Sequence, residues 1–240
     1  MHKMAYASQT GTSHLLLKKE CQDRVVGIEG LDGCCIVLAD GAGSVPQSGE
    51  AAEVVTHAVG KTLTENFMYW YGLSDEDFAT QMTAHCCDAV DKKNPDLKAS
   101  CTLLAAAVSF EGKTILCHVG DGIVFGVLET GEIQVISQPE NGDELNLTYF
   151  LSGPNANRHM RRYLDLPEGC TAVLLCSDGA GVSLWNVATG ECAPAIRKMA
   201  EWMRTMDEKT VSELVSQYLD ELFRNNTEDD MSIAIISIDS

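Results

Sequence analysis

The chain has 240 residues, of which 45% are apolar, enough for one continuous core, and it shows no low-complexity tract or repeat that would suggest extended disorder. Its formal net charge of −18, from 35 acidic and 17 basic residues, speaks against nucleic-acid and anionic-membrane partners, which need a basic face. No window approaches the ~18 uninterrupted apolar residues of a membrane-spanning helix, and residues 1–6 lack the apolar core of a secretory signal. The expectation is a cytoplasmic monomer folded as a single domain over residues 1–240.

The first segment reads as a short strand and loop through Tyr6 to His14. Gln22-Asp23 then stands directly before Arg24-Val25-Val26, placing a carboxylate at a strand start. Gly30 to Gly33 is a turn, and Cys34 to Ala39 a buried strand that stops at Asp40-Gly41. From about Gly49 to Tyr71, Ala52, Val55, Val59, Leu63, Phe67 and Trp70 recur at steps of three and four, predicting one helix with a buried face. A second helix covers Asp75 to Lys92 on Phe78, Met82, His85 and Ala89, and Pro95 ends it.

Ser100 to Phe110 is apolar at nearly every position, as in a strand covered on both faces. The turn Glu111-Gly112-Lys113 leads antiparallel into the run ending at Val119, where Gly120-Asp121-Gly122 precedes another strand to Leu128. Residues 129–170 hold a turn, a short strand to Ile136, a loop with Pro139 and Gly142, and a piece of helix near Asn157 to Leu164. Irregular segments of this length often serve as functional flaps. The strand 171–176 stops at Ser177-Asp178-Gly179, helices follow at 194–206 and 209–224, and Asp229-Asp230 opens a final strand, 231–238. Antiparallel hairpins with helices grouped in pairs predict an α+β fold, a four-layer α-β-β-α sandwich of two antiparallel sheets flanked by helix pairs.

Ten cysteines occur without any Cys-x-x-Cys, so they read as reduced thiols packed as small hydrophobes rather than as zinc ligands. His118 lies inside a strand run and reads as a core residue. Asp23, Asp40, Asp121, Asp178 and Asp229 each border an apolar run, which suggests one cluster at the strand ends. Mg²⁺ and Mn²⁺ prefer such oxygen ligands, and two ions close together can deprotonate a bridging water and neutralise charge on a phosphoryl group. Asp-Gly at a strand end is also ordinary turn chemistry. Recurrence of the pattern, more than any one copy, carries the metal reading.

The motifs Cys21-Gln22-Asp23, Ala39-Asp40-Gly41-Ala42-Gly43, Ser100-Cys101-Thr102, Val119-Gly120-Asp121-Gly122, Leu175-Cys176-Ser177-Asp178-Gly179 and Asp229-Asp230-Met231-Ser232 occur in one order over nearly the whole chain. Together, and with Asn146 to Leu151, they resemble the metal-dependent protein phosphatases of the type 2C family, bacterial branch. The resemblance implies a Ser/Thr protein phosphatase with two Mn²⁺ or Mg²⁺ ions. Asp40 would bridge them, Gly41 would offer its carbonyl to one, Asp178 and Asp229 would hold the other, and Asp23 would act at the second ion or its waters. Asp121 would join Asp178 at a more loosely held third ion. Hydroxide bridging the ions would attack phosphorus in line, with Asp40, Asp178 and Asp229 as the catalytic set and a phosphorylated protein as substrate.

Three departures stand out against the family pattern. Lys18 occupies the place of a phosphate-gripping arginine, with Lys19 an equal candidate unless both are simply solvated, and a lysine binds phosphate as a point charge without the bidentate fork. Ala42 replaces a histidine after the first Asp-Gly, so His14 becomes the histidine available to the substrate, or else a loop residue that caps or packs. Asp230 replaces an asparagine, which leaves open which of Asp229 and Asp230 ligates, with register favouring Asp229. The lysine at the phosphate position and the missing histidine support a second reading, a catalytically weak module that binds phosphoproteins. A hydrolase of small phosphoesters is a third, with specificity residing in residues 129–170.

Overall fold

The computed structural model describes residues 2–141 and 148–238. Strands β1 (Met4–Gln9), β2 (Asp23–Glu29) and β3 (Gly33–Asp40) surround a short helix α1 (Thr12–Leu16), and helices α2 (Ser48–Glu65), α3 (Phe67–Gly72) and α4 (Asp75–Lys93) follow. Next come β4 (Leu103–Ser109), β5 (Thr114–Val119), β6 (Ile123–Leu128), β7 (Ile133–Ser137), α5 (Ala156–His159), β8 (Arg161–Tyr163) and β9 (Cys170–Cys176). The chain closes with α6 (Asp178–Leu184), a ribbon of β10 (Trp185–Asn186) and β11 (Glu191–Cys192), α7 (Pro194–Thr205), α8 (Glu208–Glu221), a 3₁₀ turn at Phe223–Asn225, and β12 (Met231–Ser237).

Two five-stranded antiparallel sheets form, ordered β1-β12-β9-β6-β7 and β2-β3-β4-β5-β8. Strand alternation assigns each side chain to a layer. On β3, Cys35, Val37 and Ala39 pack with Val55, Val59 and Leu63 of α2 and Phe78 and Met82 of α4. The alternate residues Cys34, Ile36 and Leu38 face the second sheet and meet Val173, Leu175, Ala234 and Ile236. The outer face of that sheet packs on Met199 and Met203 of α7 and Val211 and Val215 of α8. This is the expected sandwich, with helices outside two sheets. Seven cysteines are buried and three half-buried, all but Cys21 packed among apolar neighbours, and no disulfide joins them among the described residues.

Four local features differ from the sequence reading. The helix from Gly49 to Tyr71 is broken at Asn66 (φ −135°, ψ 37°). Asp32, in the β2–β3 turn, accepts a hydrogen bond from Phe67 N (3.0 Å) and caps a new helix there. Residues 12–16, read as loop, form α1. The helix expected at 157–164 stops after one turn at His159, and Arg161–Tyr163 instead extend the sheet beside β5. The segment after Asp178 forms α6 and the β10–β11 ribbon, neither of which has an apolar period long enough to register in the sequence.

Candidate metal centre

The antiparallel topology carries distant carboxylates to one end of the sandwich. Asp40 ends β3 and Asp23 begins β2, and the two face each other in register. Asp121 lies where the chain crosses from β5 in one sheet to β6 in the other. Asp178 follows β9, and Asp229 precedes β12, its antiparallel neighbour. Carboxylate oxygens of Asp40, Asp121 and Asp178 come within 4.8 Å of one another.

Glycines make this convergence sterically possible. A Cβ on Gly41 would stand 2.8–2.9 Å from the backbone of Ser48 and Gly49 at the start of α2. The Asp229-Asp230 backbone is clasped from two sides: a Cβ on Gly11 would lie 2.3 Å from Asp229 C, and one on Gly179 would lie 2.1 Å from Asp230 O. In the Asp-Gly steps at 40–41 and 178–179, the second residue is therefore demanded by close backbone approach.

Burial raises the Asp40 carboxyl well above the usual range, and the charges of Asp23, Asp178, Asp121 and Asp229 add to that effect. Asp178 is pushed up to about 8, by burial first and then by Asp121, Asp229 and Asp23. Asp121 is raised by burial and by Asp229, against a lowering hydrogen bond from the Thr148 hydroxyl. Asp23 is buried and raised to about 6 by its loss of water, although Ser232 Oγ donates to its Oδ2 at 2.7 Å. Its Oδ1 is buried with no partner among the described residues. Several carboxylates are thus held close, short of water, and with no lysine or arginine in ion-pair contact among the described residues. An all-oxygen donor set with an orphaned buried carboxylate oxygen fits hard divalent cations.

Asp229 and Asp230 divide in role. Asp230 is buried and its carboxylate is fully engaged: Oδ1 accepts from Gly11 N (2.7 Å), and Oδ2 from Gln22 N (2.5 Å) and from His14 Nδ1 (2.9 Å). Asp229 accepts only the neighbouring Asp230 N (2.8 Å) among the described residues and adds its charge to the cluster. The sequence reading left this pair open and missed the support given by Asp230, Ser232 and Thr148. Ser232 belongs to a quoted motif, but a serine in a strand carries no signal of what its hydroxyl meets.

His14 is buried beside Asp230 rather than standing open to the groove. Lys18 is exposed just beyond α1 in left-handed backbone (φ 54°), and its side chain has no hydrogen bond or ion pair among the described residues. His118 is a core residue, as read from the sequence: its Nδ1 meets Ser137 Oγ (2.8 Å) and Arg161 (3.0 Å), and burial with the Arg161 charge holds it down to about 3. Of the stretch Asn146 to Leu151, residues 146 and 147 lie outside the described residues, while Thr148 hydrogen-bonds Asp121. A groove of about 1260 Å³ opens from Asp121 and Asp178 and continues along α6 to the ribbon.

A model of the family described as protein phosphatase 2C matches residues 10–224. Serine/threonine-protein phosphatase 3 of Escherichia coli (strain K12) is 30% identical over 165 residues, 64% of this chain and 64% of that protein, so the match spans less than two thirds of the relative. Among solved structures, the serine/threonine phosphatase Stp1 from Staphylococcus aureus has a TM-score of 0.68 at 15% identity, covering 100% of this chain and 96% of that one. RsbX in complex with magnesium has a TM-score of 0.62 at 15% identity, covering 99% and 96%. At such identities the likeness speaks for the fold.

Proposed function

Because the chain belongs to the protein phosphatase 2C family, we propose that it is a metal-dependent phosphatase that hydrolyses phosphoserine and phosphothreonine in cytoplasmic proteins. The observation that carries this reading is the meeting of Asp40, Asp121 and Asp178 within 4.8 Å at one end of the sandwich. Bound Mn²⁺ or Mg²⁺, two ions with a third held more loosely, would supply an activated water and neutralise charge on the phosphoryl group.

The chain's own residues set up that chemistry. Asp40, central to the cluster and repelled by each of its neighbours, would hold the ions together with the Gly41 carbonyl. Asp178 and Asp229 would hold one ion, Asp23 would act at the second or its waters, and Asp121 with Asp178 would hold the third. Thr148 orients the Asp121 carboxylate and Ser232 that of Asp23. Lys18 meets the substrate phosphate as an exposed point charge. His14 has Nδ1 committed to Asp230, so only Nε2 is left to it for a substrate.

The test is phosphate release from a phosphothreonine peptide with Mn²⁺, with Mg²⁺ and with excess chelator. Turnover that requires metal and vanishes in Asp178→Asn supports the reading. Absence of turnover by protein that binds the metal in calorimetry would favour a phosphoprotein-binding module instead.

A further inference from the structure

The groove that leaves the carboxylate cluster has a wall of unusual make-up for so acidic a molecule. Val182 on α6 and Val187 in the ribbon turn are 60% and 74% exposed, and both line it together with the half-buried Trp185. The turn is rigidly built: Asn186 Oδ1 accepts from Ala188 N (3.0 Å) and Thr189 N (3.2 Å), and Gly190 N donates back to Asn186 O (2.8 Å). Val187 is therefore held out to solvent by its neighbours' hydrogen bonds rather than left there by a loose loop. Glu191, paired with Asn186 across the ribbon, adds a carboxylate beside the apolar wall. Among the described residues the groove has no lysine or arginine.

An exposed apolar wall, preorganised and continuous with the site of chemistry, lowers the cost of ordering a bound chain there. Its charge decides which chain. We propose that this groove receives the substrate polypeptide flanking the phosphorylated residue, and selects flanks with an apolar side chain and a lysine or arginine over acidic flanks. The apolar side chain packs on Val182, Trp185 and Val187 while the cation faces Glu191; an acidic flank would meet Glu191 with no lysine or arginine in the described lining to offset the repulsion. The inference rests on the phosphatase reading and names the substrate class of that site.

Two peptides of equal length test it, one with Leu and Lys beside the phosphorylated threonine and one with Asp and Glu. Binding is read by fluorescence anisotropy in Mn²⁺ on versions carrying a non-hydrolysable phosphonate, and turnover on the phosphorylated versions. Wild-type protein should bind the Leu/Lys peptide about tenfold more tightly. The double variant Val182→Lys/Val187→Lys, shown folded by circular dichroism, should bring the two to parity or reverse them. Glu191→Gln should weaken only the Leu/Lys peptide. Equal binding by the wild type, or a preference unchanged in the folded double variant, overturns the proposal. A preference without turnover of either peptide would leave the groove standing and count against the phosphatase reading. Turnover of both peptides at equal rates and affinities would do the reverse.

Discussion

Asp178 is held at close range to like charges and lifted to about 8, so it is tolerated by the fold rather than needed by it. Asp178→Asn removes a carboxyl that the metal-free fold must either protonate or hold charged, buried among like charges. It should abolish metal-dependent phosphate release while stabilising the metal-free protein by about 1 kcal/mol, a rise in Tm of roughly 2–4 °C for a chain of this size. A metal-free melt unchanged or lowered by the substitution would contradict the electrostatic account. Asp230 is the opposite case, a carboxylate whose three donors from Gly11, His14 and Gln22 tie the N-terminal segment to the backbone of Asp229. Asp230→Asn would turn an amide NH₂ toward one of those donors, and should cost about 10- to 100-fold in Mn²⁺ affinity without removing a proposed ligand. Titration calorimetry checks it, and wild-type affinity would show that the brace does not position Asp229.

At the scale of elements, close approaches matter more than propensities. The first turn of α6 packs on the start of β12 with room for no more than hydrogen at Gly179. Gly179→Ala should therefore shift Asp229-Asp230, destabilise the fold by about 1–3 kcal/mol as other overpacked sites do, and weaken metal binding with it. Denaturant melts with and without Mn²⁺ measure both effects. The α2–α3 break shows the same dependence on a distant partner. Asp32→Ala would take away the acceptor of Phe67 N and should cost about 1 kcal/mol, read as a shift in urea midpoint with unchanged slope.

For the whole molecule, the buried carboxylates and His118 pull stability in opposite directions with pH. The cluster carboxylates have folded pKa values above their unfolded ones, so the folded state holds the extra protons. Their contribution is present at low pH and is lost as pH rises toward about 8. His118, held down to about 3, works the other way: its penalty disappears as pH rises through its unfolded value of 6.5. Above about 6.5 only the carboxylate effect remains. Metal-free protein should lose stability between pH 6.5 and 8 by up to about 1.4 kcal/mol per unit for each carboxylate still titrating. Saturating Mn²⁺ or Mg²⁺ should flatten that slope, and thermal melts across this range with chelator and with metal would show whether it does. A slope identical in both would mean that the cluster does not bind the ions. No helix among the described residues is long and apolar enough to cross a membrane.

Periodicity and punctuation are local, and what depends on them could be read from the chain alone. The apolar run 34–39 ending at Asp40-Gly41, the three-and-four spacing through Val55, Val59 and Leu63, and the carboxylates at five strand ends make the sandwich and its acidic end legible in the sequence. Contacts across large sequence separations were decided by tertiary structure only. Asp32 breaks a helix 35 residues away. Asp230 is claimed by donors more than 200 residues distant, which is why the choice between it and Asp229 stayed open in the sequence. The groove wall of Val182, Trp185 and Val187 belongs to elements too short to leave a periodic signal. Burial patterns along one strand record which side faces the core, but a hydrogen-bond partner or a cavity is a property of segments that meet only when the sheets have packed.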